Sequence, residues 1–313
     1  MLGLFRTFVL VATFLMTVAA TAPAWALTIE STGRPADSYS KLNVTLRGVI
    51  QKGDEIRVER ELRKRNENGV FVWLTSTGGD IETAMAIGRA LRKAEAAVST
   101  DQCQSSCVLI VAGAVERIID EGAIAVHRPY FVDLPASTAQ ATIAKRRNAL
   151  KRSIALYLDE MNVSQGLLEA MESTHPEQLR VLSEDELARF NLSAPDPVWD
   201  EKNVARAAAD YGIVSAEYRR RRALAEKTCS QHKTFSNAYS QCEQEVLWNL
   251  PAAEYERRLA ILREWREAAV ELTNGVRTPQ LQAEFKACGT AVLVRGATSC
   301  PPFAQARKAV AVP

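Results

Sequence analysis

Ser105, Ser106 and His127, together with the glycine pair Gly78 and Gly79, are the residues whose types and spacing could do chemistry in this chain. A serine hydroxyl is a weak nucleophile until a neighbouring imidazole takes its proton. An imidazole ordinarily titrates near about 6.5, so it can serve as that base near neutral pH. Acyl transfer also needs N–H donors where the oxyanion forms, and a glycine turn or a helix N-terminus supplies them. Each residue has an ordinary structural reading as well. Serines before an apolar run are commonly helix N-caps, a single histidine is commonly a hydrogen-bonded structural residue, and two adjacent glycines suit a tight turn under either reading.

The elements that must position these residues follow from hydrophobic patterning. Val70 to Leu74 is β-branched and aromatic and stops at a turn signal, which predicts a buried strand. Gly78 and Gly79 then open a helix in which Ile81, Met85, Ile87, Ala90 and Leu91 recur at helical spacing, with Asp80 as its cap. A short strand is expected at Ala97 to Thr100. A helix is expected over Gln104 to Gly113 with Ser105 and Ser106 in its first turn. Strands at Glu116 to Ile119 and Ala123 to Val126 follow, the second ending at His127. Ahead of these, Leu42 to Ile50 alternates as a strand and Asp54 to Asn66 reads as a helix. The alternation of strand and helix predicts an α/β domain, a parallel sheet with covering helices.

Leu27 to Ser40 reads as irregular. Further on, helices are expected over Ser137 to Met161, Val163 to Met171 and Leu182 to Leu192, the last opened by a Ser183 and Glu186 capping box. Two prolines in Ser193 to Trp199 mark a boundary. Beyond it Asn203 to Tyr211, Ser215 to Leu250, Ala252 to Asn274 and Pro279 to Cys288 read as helices, a small all-α region. The expected organisation is a leader over 1–26, an α/β domain over 27–195 and an α-helical, disulfide-stapled domain over 196–313.

The chain has 313 residues, 24% charged and 47% hydrophobic, with net charge +2, so nucleic acid is not an expected partner. The basic run Arg219 to Arg222 is flanked by Glu217 and Glu226 and reads as a solvated helix face. Arg6, the apolar run Phe8 to Ala20 and the small residues Ala24 and Ala26 form a secretory signal pattern with Leu27 as the new N-terminus. Left uncleaved, it would be a membrane anchor, although a span needs roughly 20 apolar residues. Export predicts a periplasmic or secreted chain, with no membrane association after cleavage. There the six cysteines, Cys103, Cys107, Cys229, Cys242, Cys288 and Cys300, can pair. Cys103 and Cys107 are close enough in sequence to bridge one turn, which leaves the other four for the C-terminal region. No metal-ligand spacing joins them to His127, His175 or His232, so no metal and no cofactor are expected.

The pieces TSTGG (Thr75 to Gly79), CQSSC (Cys103 to Cys107), Ala112 with Gly113, His127 with Pro129, and the Ser183 to Leu192 helix resemble, in order and approximate spacing, the ClpP/crotonase superfamily, with an interval from Ser105 to His127 shorter than the family's. The closer resemblance is to exported bacterial ClpP-like proteins. It covers about Leu42 to Leu192 and implies a ClpP/crotonase-like fold and a serine peptidase or acyl hydrolase acting on peptide or protein. It implies Ser105 as nucleophile, with Ser106 the alternative, and His127 as general base. The oxyanion hole would come from the N–H groups of Gly78 or Gly79 and of Ser106. The position of the family's third triad residue falls on His175, which cannot be an anionic orienter, with Glu172 and Glu177 close by as substitutes. Loss of that orienting carboxylate can cost about 10⁴-fold in kcat. The alternative is therefore a non-catalytic binding or scaffold protein of the cell envelope on the same fold. A crotonase-type thioester enzyme is disfavoured, because export separates it from coenzyme A. Homo-oligomerisation stays open, with Ser137 to Met161 the helix that would carry it.

Overall fold

The computed structural model describes residues 26–32, 41–65, 68–131, 135, 137–234, 236–272 and 279–300. All but the last residue of the expected leader, and the tail after Cys300, lie outside them. The chain divides into two compact units, one ending at Pro195 and one beginning at Asp196.

The first unit is an α/β fold built on one mostly parallel mixed sheet. Its strands are β1 (Thr28–Thr32), β2 (Leu42–Arg47), β3 (Val70–Ser76), β4 (Ala97–Gln104), β5 (Glu116–Ile119), β6 (Ile124–Val126) and β7 (Arg180–Val181). The order is β1-β2-β3-β4-β6-β7, with β5 also paired to β4. The β2, β3, β4, β5 and β6 pairings are parallel, while β1 on β2 and β7 on β6 are antiparallel. β1 lies where an irregular segment was expected. Its only apolar inward residue is Ile29, opposite Leu46, so a strand recruited to an edge by its neighbour left little hydrophobic signal.

Register sets Val44 beside Val72 and Val72 beside Val98, all fully buried. β3 is buried on one face only. Val70, Val72, Leu74 and Ser76 point inward, while Trp73 is 53% exposed and packs on Phe71 with ring centroids 5.0 Å apart. β4 serves two neighbours in succession. Ala97 to Thr100 pair with β5, and Cys103 and Gln104 pair with β6. That second pairing carries the strand four residues beyond its expected end.

The helices α1 (Asp54–Leu62), α2 (Ile81–Lys93), α3 (Cys107–Gly113), α4 (Gln140–Glu160), α5 (Gly166–Ser173) and α6 (Glu184–Arg189) complete this unit. The expected caps are present. Asp80 Oδ1 accepts the Thr83 N–H at 2.8 Å, and Ser183 with Glu186 closes a capping box. α2 and α3 cross backbone to backbone, because a Cβ on Gly113 would lie 2.3 Å from Gly88 O. Buried Tyr157 of α4 seals the crossing by donating to Leu109 O at 2.6 Å. Burial pushes its hydroxyl pKa up. Arg117 is also buried, and it donates to Ala112 O at 2.8 Å and Val111 O at 3.2 Å. A cation thus meets the carbonyls at the C-terminal end of α3, where the helix dipole favours it.

The second unit is helical among its described residues: α7 (Pro197–Asp210), α8 (Ser215–Cys229), α9 (Asn237–Trp248), α10 (Ala252–Leu272) and α11 (Pro279–Gly289), then a π-helical turn at Thr290–Val294. Ser215 to Leu250, expected as one helix, is two. Cys229 ends α8 and bonds Cys242 in α9, with Cα atoms 5.8 Å apart, so the chain doubles back. Cys288 and Cys300 form the other bond of this unit, at 5.1 Å. With Cys103–Cys107, all six cysteines are paired, which fits an oxidising environment. Among the described residues no helix is long and apolar enough to cross a membrane.

Candidate active site

Ser105 does not begin a helix. β4 runs to Gln104, α3 starts at Cys107, and Ser105 and Ser106 form a two-residue turn between them. β6 enforces the sharpness of that turn. The Cys103 N–H donates to Ala123 O and the Ser105 N–H to Ala125 O, each at 2.8 Å, which holds the chain extended up to the serine. The Cys103–Cys107 disulfide, with Cα atoms 5.3 Å apart, then requires the chain to reverse within the ring that it closes. Ser105 responds with φ 57°, in the left-handed region. A non-glycine residue there costs about 1–2 kcal/mol, strain of the sort that stays only where the surroundings over-determine it.

The glycine turn is fixed from three sides. The Ile50 N–H donates to Gly78 O at 2.8 Å and the Asp80 N–H to Ile50 O at 2.9 Å. Ile50 therefore grips the turn so closely that a Cβ on Gly79 would fall 2.0 Å from its carbonyl oxygen. The Gly78 N–H donates to the buried Ser76 Oγ at 3.1 Å. The Ser106 Oγ, in a residue only 1% exposed, donates to Gly79 O at 3.0 Å. These bonds engage the Ser106 hydroxyl and the Gly78 N–H. Among the described residues, the N–H groups of Gly79 and Ser106 have no hydrogen-bond partner within the chain, as donors awaiting an oxyanion would be left.

Ser105, Gly78, Gly79 and His127 line one cleft of about 800 Å³, with Tyr130, Phe131, Lys52 and Arg146 also in its walls. His127 follows β6 and is nine-tenths buried. Its Nδ1 lies 3.0 Å from Arg128 O, and the Tyr130 ring packs beside the imidazole with centroids 5.6 Å apart. With its proton on Nδ1, the ring donates to that carbonyl and Nε2 keeps its lone pair as an acceptor. Ser105 and His127 both line the cleft, and no hydrogen bond joins their side chains. Such bonds are often long without substrate and tighten on binding.

Among the described residues, no hydrogen bond joins His175, Glu172 or Glu177 to His127. The Arg128 N–H donates to Thr174 O at 3.0 Å, so their segment runs beside the histidine strand. However, Glu172 Oε2 pairs with Arg147 at 2.7 Å, and the exposed His175 accepts the Glu177 N–H on its own Nδ1 at 3.4 Å. The neutral Arg128 carbonyl stands where a triad would have its carboxylate. Among the described residues, no group of three His, Cys, Asp or Glu side chains is placed to hold a metal ion.

Sequence reasoning missed Ser76, Tyr130, Lys52 and Arg146. Ser76 carried a signal, since a hydroxyl two residues before a turn N–H is an ST-turn pattern. The others reach the cleft from separate elements, and no local pattern marks them. No protein-family model matches the chain, and no curated protein matches it.

Proposed function

We propose that this protein is an exported hydrolase of ClpP/crotonase-like fold that cleaves peptide or related acyl bonds through Ser105 and His127. One observation carries the reading: a serine in a strained left-handed turn shares a cleft with a histidine and with a glycine whose N–H has no partner among the described residues. Ser105 Oγ attacks the substrate carbonyl carbon as His127 Nε2 takes the hydroxyl proton, and the oxyanion is received by the Gly79 and Ser106 N–H groups. Collapse breaks the scissile bond. His127 returns the proton to the leaving amine or alcohol, leaving an acyl-serine. Water, deprotonated by Nε2, then releases the acid and restores Ser105. Ser106 is the weaker candidate for nucleophile, because its hydroxyl is buried and bonded to Gly79 O.

The Arg128 carbonyl fixes the imidazole tautomer but cannot stabilise imidazolium as a carboxylate does. Turnover should therefore fall below that of a full triad, by up to about 10⁴-fold. The same observation favours the second reading, a binding protein that retains the fold without turnover. A fluorophosphonate probe on the mature protein separates them. Labelling lost in Ser105→Ala and kept in Ser106→Ala supports the hydrolase, and no labelling of a folded protein supports the binding reading.

A further inference from the structure

Helix α4 carries a charge that the proposed chemistry does not use. Between Gln140 and Ser153 it holds Lys145, Arg146, Arg147, Lys151 and Arg152 and no acidic residue, the first carboxylate of the helix being Asp159. Over that stretch only Ile143, Arg147 and Leu150 are partly buried. They form one narrow seam at i, i+4 and i+7, which leaves the rest of the circumference to solvent.

Solvated helix faces usually mix both signs, and this one does not. Of its five cations only Arg147 has a carboxylate partner among the described residues, Glu172 at 2.7 Å. Arg146 lines the cleft that holds Ser105 and His127, and so does Lys52. The carboxylates of the cleft, Asp80 and Glu82, stand at the start of α2, and Asp80 is engaged by the Thr83 N–H. Charge in the cleft is thus segregated by element. Lys145 and Arg152 lie two turns apart on one exposed face, about 10.5 Å along the axis, on the helix whose Arg146 and Leu150 line the cleft.

We propose that this surface is a docking strip for an acidic polypeptide segment, and that the bond adjoining that segment is the one presented to the cleft. The second half rests on the hydrolase reading, whereas docking does not need it. Exposed cations contribute little singly, so a run of one sign is what discriminates, in a salt-dependent way. An anionic membrane would also attract cations, but an interfacial helix needs an apolar face to bury. The only exposed large apolar residue described on α4 is Leu156, beyond the basic stretch.

The test uses the mature chain carrying Ser105→Ala and fluorescent peptides of one design, rich in Glu, Gln or Lys. The Glu peptide should bind about 10-fold more tightly than the Gln peptide at low salt and lose that advantage at high salt. Lys145→Gln and Arg152→Gln should each weaken it about two- to five-fold, and Lys145→Glu with Arg152→Glu should abolish the preference for the Glu peptide over the Gln peptide. Equal affinity for the Glu and Gln peptides, or binding to phosphatidylglycerol vesicles with none to the Glu peptide, would overturn the proposal. Should a variant melt early, the salt dependence of the unaltered helix still decides. Probe labelling of the unmutated protein keeps the two readings apart. Glu-peptide binding without labelling leaves docking standing and ends the hydrolase, and labelling without acidic preference does the reverse.

Discussion

Ser105 occupies the space that a side chain on Gly78 would need: a Cβ built there lies 2.6 Å from Ser105 Cβ and 3.1 Å from Ser105 Oγ. Two turns far apart in sequence are therefore packed backbone against serine side chain. Gly78→Ala should displace the serine or distort a backbone at φ 97°, and lower stability by about 2–4 kcal/mol. Melting combined with probe labelling checks this. Unchanged labelling in a fully stable Gly78→Ala protein would contradict the contact.

Ser106 Oγ donates to Gly79 O and so holds the glycine turn. Ser106→Ala removes a part-buried hydrogen bond to Gly79 O, so stability should drop by about 0.5–1.5 kcal/mol. Loosening of the Gly79 turn should lower kcat with little change in KM, because the N–H of that turn is used only as charge develops. A rise in KM at constant kcat would assign Ser106 to substrate binding.

The three disulfides differ in the loops they close. In the chain-entropy model the Cys103–Cys107 ring stabilises by about 2 kcal/mol, and the Cys229–Cys242 and Cys288–Cys300 loops by about 3 kcal/mol each. Thiol reductant should therefore unfold the second unit first, visible as an early transition in melting, and unchanged melting would refute that order. Cys103→Ala with Cys107→Ala should leave the first unit folded yet reduce labelling of Ser105, since the ring helps to hold its left-handed backbone.

Acid should also act on the second unit. The guanidinium groups of Arg220 and Arg221 hold the Glu217 carboxyl at about 2, and those of Arg257 and Arg258 do the same for Glu254. A carboxylate held low in the folded state contributes stability that is complete above its ordinary value of 4.5 and is lost as pH falls from there toward about 2. The effect should be modest and weakened by salt, because these pairs are exposed to solvent. Glu217→Gln with Glu254→Gln should flatten the dependence across that window, and a slope equal to that of the unmutated protein would show other carboxylates at work.

The sheet was legible where strands carry their own hydrophobic signal, as at Val70 to Leu74 and Glu116 to Ile119. It was not legible where a neighbour supplies the signal. β1 and β7 are short edge strands with few inward apolar residues, and the break between α8 and α9 is set by a disulfide inside a helix-forming composition. The same distinction runs through the site. Asp80 and the Ser183 capping box could be read because a cap is a contact within one turn of chain.

The sequence by itself determined the alternation of strand and helix and the residue types available for chemistry, and it suggested the pairing of Cys103 with Cys107 that the structure shows, because each depends on neighbours a few positions away. Only the tertiary structure decided which serine faces the cleft and which is buried, and which glycine N–H stays unpartnered. It also decided that His127 meets a backbone carbonyl in place of a carboxylate. The bonds from the Ser105 N–H to Ala125 O and from the Ile50 N–H to Gly78 O exist only once the strands are aligned in one sheet, and no local propensity encodes that alignment.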